Sequence, residues 1–195
     1  ADEDAIKRVG SAGRPYPHVT VKVIDPVTNE ELHGEATGEL LVSGPGGFKG
    51  YFEDEKNTAE TLKNGWLHTG DLVHRDRDGY YRIVDRIKDI FITGGESVAP
   101  AEIEKVLFGH PAVQDCAVVG VPDDRWGEVP IGFVVRRRGV PTDEQDILDY
   151  LGTNLAKFKI PKQIKFITKI PRSSSEKVRR RMLASDWQKA EGVLK

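Results

Sequence analysis

The sequence predicts an α+β protein in two parts. Residues 1–87 are expected to form a small β-barrel-like subdomain, and residues 88–195 an α+β domain with helices on a small sheet. Two observations carry this reading. Up to about residue 90, short period-two apolar segments alternate with turn residues, as in compact β structures. Beyond that point strand-like runs alternate with stripes of helical period. In the first part, residues 18–25 (HVTVKVID) form a strand closed by the turn Pro26-Val-Thr-Asn, and residues 38–43 form another closed by Gly44-Pro-Gly-Gly. Residues 80–85 form a third after the turn Asp76-Arg-Asp-Gly, and residues 58–63 read as a single helical turn. In the second part, residues 89–93 form a short strand. A helix then opens at Pro100, with proline at its first position, an acid in its first turn and a stripe of Ile103, Val106 and Leu107. Residues 117–121 and 131–135 are strands. Thr142 and Gln145 form a capping box for a helix whose Ile147, Leu151 and Leu155 share a face. A strand over 164–167 and a helix over 178–188 complete the chain.

Composition narrows the function. The 195 residues are 38% hydrophobic and 31% charged with both signs mixed, which excludes a disordered tail. The apolar runs fall far short of a membrane helix, and no basic-plus-apolar leader opens the chain, so a cytoplasmic protein is expected. The single cysteine, Cys116, lies in an apolar run and reads as a core residue. Residues 155–181 hold ten Lys or Arg and one acid, although the whole chain carries a net charge of −2. Such a block fits either a solvated face or a polyanionic partner: a nucleotide, coenzyme phosphates or nucleic acid.

Chemistry-bearing residues gather over 65–96 and 171–181. Asp71, after Thr69-Gly70, reads as a carboxylate able to accept two hydrogen bonds from a vicinal diol such as ribose; a simple turn aspartate is the alternative. His68 shows no identifiable partner and reads as structural. Gly94-Gly95 at a strand end permits close approach by a ligand, or makes a simple turn. The polar loop around Lys177 offers a point charge suited to phosphate or a developing oxyanion. No Walker loop, zinc-protease helix, cysteine pair or nucleophile elbow occurs, so a metal site and a serine hydrolase are not expected.

The segments TGELLVSGP from Thr37, GYF from Gly50, GWLHTGDL from Gly65, DRIKD from Asp85, TGGESVAPAEIE from Thr93 and PRSSSEKV from Pro171 occur in order across most of the chain. Together they resemble the motifs of the adenylate-forming superfamily of acyl-CoA synthetases, luciferase and peptide-synthetase adenylation domains, and most resemble a fatty-acyl-CoA ligase. The resemblance implies a two-step reaction in which ATP, with Mg2+, activates a carboxylic acid as acyl-AMP and coenzyme A then displaces AMP. It implies Asp71 at the ribose hydroxyls, Arg86 at ribose or phosphate, Ile83 packed on the nucleotide, and Lys177 as the catalytic lysine between carboxylate and phosphate. It implies Lys88 as the hinge of a mobile C-terminal domain, and Gly94, Gly95 and Glu96 along the coenzyme A channel. Glu176 stands where the family usually has glycine. The family's phosphate loop and acyl pocket are absent from this sequence, so the chain is expected to be a C-terminal portion, inactive alone. Two alternatives stay open: an acyl-AMP ligase that loads a carrier protein, and a basic nucleic-acid-binding module.

Overall fold

The computed structural model describes residues 8–191. The chain divides into two compact units, and the division falls between Lys88 and Asp89, inside a single 3-10 turn, Ile87–Asp89.

The first unit is built from β1 (Thr20–Ile24), β2 (Glu31–Leu32), β3 (Ala36–Ser43), helix α1 (Glu55–Thr61), β4 (Leu62–Lys63), β5 (Trp66–Arg75) and β6 (Tyr81–Arg86). All six strands join one antiparallel sheet. β3 runs along one edge of β5, while β4 and β6 share the other. The helical turn read over 58–63 lies earlier. Asp54 caps α1 by accepting the Asn57 N–H at 3.0 Å, and Leu62–Lys63 leave the helix to pair with Trp66–Leu67. The reason is the two-residue turn between them. Asn64 and Gly65 both have positive φ, 51° and 80°, the geometry Asn-Gly hairpins favour.

The second unit contains β7 (Phe91–Thr93), β8 (Glu96–Val98), α2 (Pro100–Phe108), β9 (Val113–Asp123), β10 (Gly127–Arg136), α3 (Glu144–Asn154), β11 (Gln163–Phe166) and α4 (Arg180–Ala190). β9 and β10 form a long antiparallel hairpin, and β11 adds in parallel to β10. Alternate residues of the hairpin feed two cores. Cys116, Val118 and Val134 pack with Ile103 and Leu107 of α2 and Ile147 and Leu151 of α3. Ala117, Val119, Val121, Ile131 and Phe133 pack with Ile170 and with Leu183 of α4. This double burial explains the uninterrupted apolar run around Cys116, since a strand covered on both faces has no polar side. Cys116 is 2% exposed, and burial pushes its thiol well above the usual cysteine range.

Three sequence expectations shift. The cap of α3 is Asp143, which accepts the Asp146 N–H at 2.9 Å. Thr142 instead donates to the Asp146 side chain at 2.7 Å, and Gln145 donates to Asp149 at 2.7 Å, because the helix starts one residue later than the capping box requires. Leu155 is the C-cap of α3 with an extended backbone, although it still packs on the first core. The last helix starts at Arg180 rather than 178, because Val178 pairs with Arg172 across a hairpin loop.

Candidate functional site

In the first unit, the residues that bear chemistry collect at a bulge. Glu39 faces Leu72 and Leu41 faces His68 across β3 and β5, so Thr69, Gly70 and Asp71 oppose Leu40 alone. Gly70 takes φ 66°, and Thr69 Oγ1 donates to Leu40 O at 2.8 Å while accepting the Asp71 N–H at 3.1 Å. Behind the bulge Glu39 is 9% exposed. Its carboxylate accepts the Gly70 N–H at 3.2 Å and meets His68 Nδ1 at 3.2 Å. His68 therefore has a partner that the sequence did not reveal: a residue 29 positions earlier. Asp71 sits in a strand rather than an isolated turn, directly opposite Arg86, and Arg86 Nε reaches Asp71 Oδ1 at 3.1 Å. Ile83, on the same strand as Arg86, is 58% exposed. Lys88 is exposed in the 3-10 turn where the units divide.

In the second unit, Gly94 and Gly95 form the two-residue turn of the β7–β8 hairpin, with φ 58° and 90°. The turn reading of this pair is thus met, and the close approach seen at Gly94 is by Trp126 of the same chain. The Gly94 N–H donates to Trp126 O at 2.9 Å, and a Cβ at Gly94 would stand 3.0 Å from the indole ring. Gly94 and Glu96 line a cavity of about 560 Å³ whose other walls include Trp126, Phe158, Arg125, Lys157 and Lys162. The sequence reading missed Trp126 and Phe158, which lie far apart in the chain and line one cavity in the fold. Their signal was a pair of aromatics each flanked by cations, Arg125-Trp126 and Lys157-Phe158-Lys159. Lys162 donates to Asp123 at 2.8 Å. That contact, with the N–H groups of Arg125 and Trp126, holds the Asp123 carboxyl below its ordinary range.

Lys177 closes a short hairpin loop. The Ser173 N–H donates to Lys177 O at 2.8 Å, the Glu176 N–H to Ser173 O at 3.0 Å, and the Lys177 N–H to Ser173 Oγ at 3.2 Å. Glu176 adopts φ 59°, the left-handed position of a hairpin turn with a bulge, where glycine is favoured. This is the physical sense of the departure at Glu176.

The basic block is partly self-neutralised. Lys159 pairs with Glu102, Lys162 with Asp123, Lys165 with Glu191, Arg172 with Asp115 and Arg180 with Glu104. Among the described residues, five of its ten cations are shown ion-paired within the chain.

The AMP-binding enzyme family matches residues 1–52, and the AMP-binding enzyme C-terminal domain family matches residues 102–177. The chain belongs to the adenylate-forming superfamily. Among adenylate-forming relatives, it is 44% identical over 172 residues to a feruloyl-CoA synthase of Amycolatopsis sp, covering 88% of this chain and 35% of the relative. It is 44% identical over 179 residues to a 2-succinylbenzoate–CoA ligase of Bacillus cereus, covering 91% of this chain and 36% of the relative. The crystal structure of ATP-bound MatB from Rhodopseudomonas palustris aligns with TM-score 0.86 and 38% identity over 93% of this chain and 36% of that one. The chain thus spans about a third of the length of the curated relatives it matches.

Proposed function

We propose that this chain carries the nucleotide- and coenzyme-A-handling portion of an ATP-dependent acid–CoA ligase. A substrate carboxylate attacks the α-phosphorus of ATP, pyrophosphate leaves, and acyl-AMP forms. The coenzyme A thiol then attacks the acyl carbon, AMP leaves with the bond electrons, and the thiol proton passes to solvent or base. Asp71 accepts the ribose hydroxyls, Arg86 neutralises nearby negative charge, and Ile83 packs against the nucleotide. Lys177 places its ammonium where charge builds on carboxylate and phosphate during the first step. Gly94, Gly95 and Glu96 border the path of the pantetheine arm, and Lys88 is the pivot between the two half-reactions. Mg2+ would come with the phosphates of ATP and supply charge there, and none of these residue roles depends on it.

The observation that carries the coenzyme A reading is the cavity beside Gly94. The aromatic walls of Trp126 and Phe158 suit an adenine, and Arg125 and Lys157 suit its phosphates. A carrier-protein pantetheine lacks that adenine and has no use for these walls. The nucleic-acid alternative loses support because so much of the basic block is ion-paired. For the acid, the motif resemblance points to fatty acids, whereas the relatives are named for ferulate and 2-succinylbenzoate. The test uses the full-length enzyme with ATP and a panel of fatty, feruloyl-type and succinylbenzoate-type acids, reading pyrophosphate release and thioester formation. The expected result is pyrophosphate release with at least one acid and a thioester with coenzyme A. Discharge to a carrier pantetheine, and not to coenzyme A, would select the alternative.

A further inference from the structure

We infer that Asp115 and Arg172 are positioning residues for Lys177; the inference rests on the adenylation role proposed for that lysine. The loop that presents Lys177 is exposed and contains a left-handed, non-glycine residue at Glu176, so its own backbone geometry works against the conformation it holds. What holds it is a bridge to the sheet. Arg172 sends one guanidinium nitrogen to both carboxylate oxygens of Asp115, at 2.9 and 3.1 Å, and another to the Glu176 carbonyl at 3.1 Å. Asp115 is fixed in β9 opposite Val135, next to the buried Cys116. The chain of contacts therefore runs from the rigid hairpin, through Asp115 and Arg172, to the peptide unit immediately before Lys177. Ser173 adds a second hold by accepting the Lys177 N–H at 3.2 Å, and the flank beyond is pinned by Arg180 on Glu104.

A planar guanidinium can serve both partners at once because its donors diverge at fixed angles; an ammonium cannot reproduce that fork. The Asp115–Arg172 pair is half-exposed, with side chains each 29% accessible, so its removal leaves no buried charge. The second core, closed by Ile170 and Leu183, does not include it. Loss of the bridge is therefore expected to loosen the presentation of Lys177 while leaving the fold in place.

The experiment compares Asp115→Asn, Asp115→Glu, Lys177→Ala and the double variant Asp115→Asn/Lys177→Ala in the full-length enzyme. Each half-reaction is measured separately, with preformed acyl-AMP as the substrate for the second, and thermal melts are recorded alongside. Asp115→Asn should lower the rate of acyl-AMP formation by about ten- to a hundredfold, the scale of a misplaced reacting group. Thioester formation and the melting temperature should stay near the parent values. Asp115→Glu should recover part of the loss, and Asp115→Asn should cost nothing further once Lys177 is gone, since residues acting as one unit are not additive. Multiplying effects in the double variant, or equal loss of both half-reactions together with a lowered melting temperature, would overturn the inference. If Lys177→Ala cripples adenylation but Asp115→Asn is normal, this inference fails alone. If Lys177→Ala leaves adenylation intact, the role of Lys177 falls and the inference with it.

Discussion

Glu176 occupies a left-handed backbone position that only a side-chain-free residue takes without cost. Glu176→Gly should therefore raise stability by about 1 kcal/mol, read as a higher urea midpoint at unchanged slope; a lower midpoint would show that the carboxylate earns its place by a contact. Glu39 is the opposite case. It satisfies the Gly70 N–H and meets His68 in a nearly closed setting, so Glu39→Ala leaves two polar groups unpaired and should cost about 1–3 kcal/mol. Because Gly70 precedes Asp71, the same change should also weaken AMP binding by the full-length enzyme, measured by calorimetry. Asp71 was legible as a carboxylate on an unusual backbone from its neighbours Thr69 and Gly70. Its pairing with Arg86 was not, since the pairing arises from a cross-strand register that a bulge shifts by whole residues. Trp126 and Phe158 were hidden for a similar reason: nothing local joins two aromatics that only the fold brings to one cavity.

At the level of elements, sequence signals located the four helices and seven of the eleven strands among the described residues, missed β2, β4, β8 and the central β5, and misjudged several ends. The strands read over 117–121 and 131–135 are the middles of β9 and β10, whose flanking polar residues continue the ladder without extending the apolar pattern. The capping box at Thr142 failed because an aspartate stands beside the threonine, and its carboxylate reaches the Asp146 N–H. Asp143→Ala should accordingly cost about 1 kcal/mol, whereas Thr142→Ala should cost far less, in denaturant titrations of the two variants. The turn between β9 and β10 carries a pH dependence. Lys162 and two backbone N–H groups hold the Asp123 carboxyl below its ordinary value, so the contribution is present above the unfolded carboxylate pKa and is lost as pH falls through the lower folded one. An NMR titration of Asp123 should find its midpoint below 3.8, the ordinary value, and Lys162→Met should move that midpoint upward.

For the molecule as a whole, the division between Lys88 and Asp89 falls within a single 3-10 turn, which concentrates any change of direction in very few dihedral angles. Proline fixes φ near −65°. Lys88→Pro in the full-length enzyme should therefore leave acyl-AMP formation near normal and severely reduce thioester formation at unchanged thermal stability, while Lys88→Ala should be mild in both. Equal effects of the two substitutions would remove Lys88 as the pivot. The two-part plan was legible because period-two and period-3.6 patterns occupy separate stretches of the chain. The sealing of Cys116 has a practical corollary of another kind. The chain has one cysteine, 2% exposed between two layers of helices, so its native surface presents no thiol among the described residues. This portion should leave aromatic disulfide reagents unconsumed while folded, so it adds no background to a colorimetric count of free coenzyme A. A cysteine introduced at Lys88 would likewise be its single label, ready for a fluorophore that reports on the pivot during turnover.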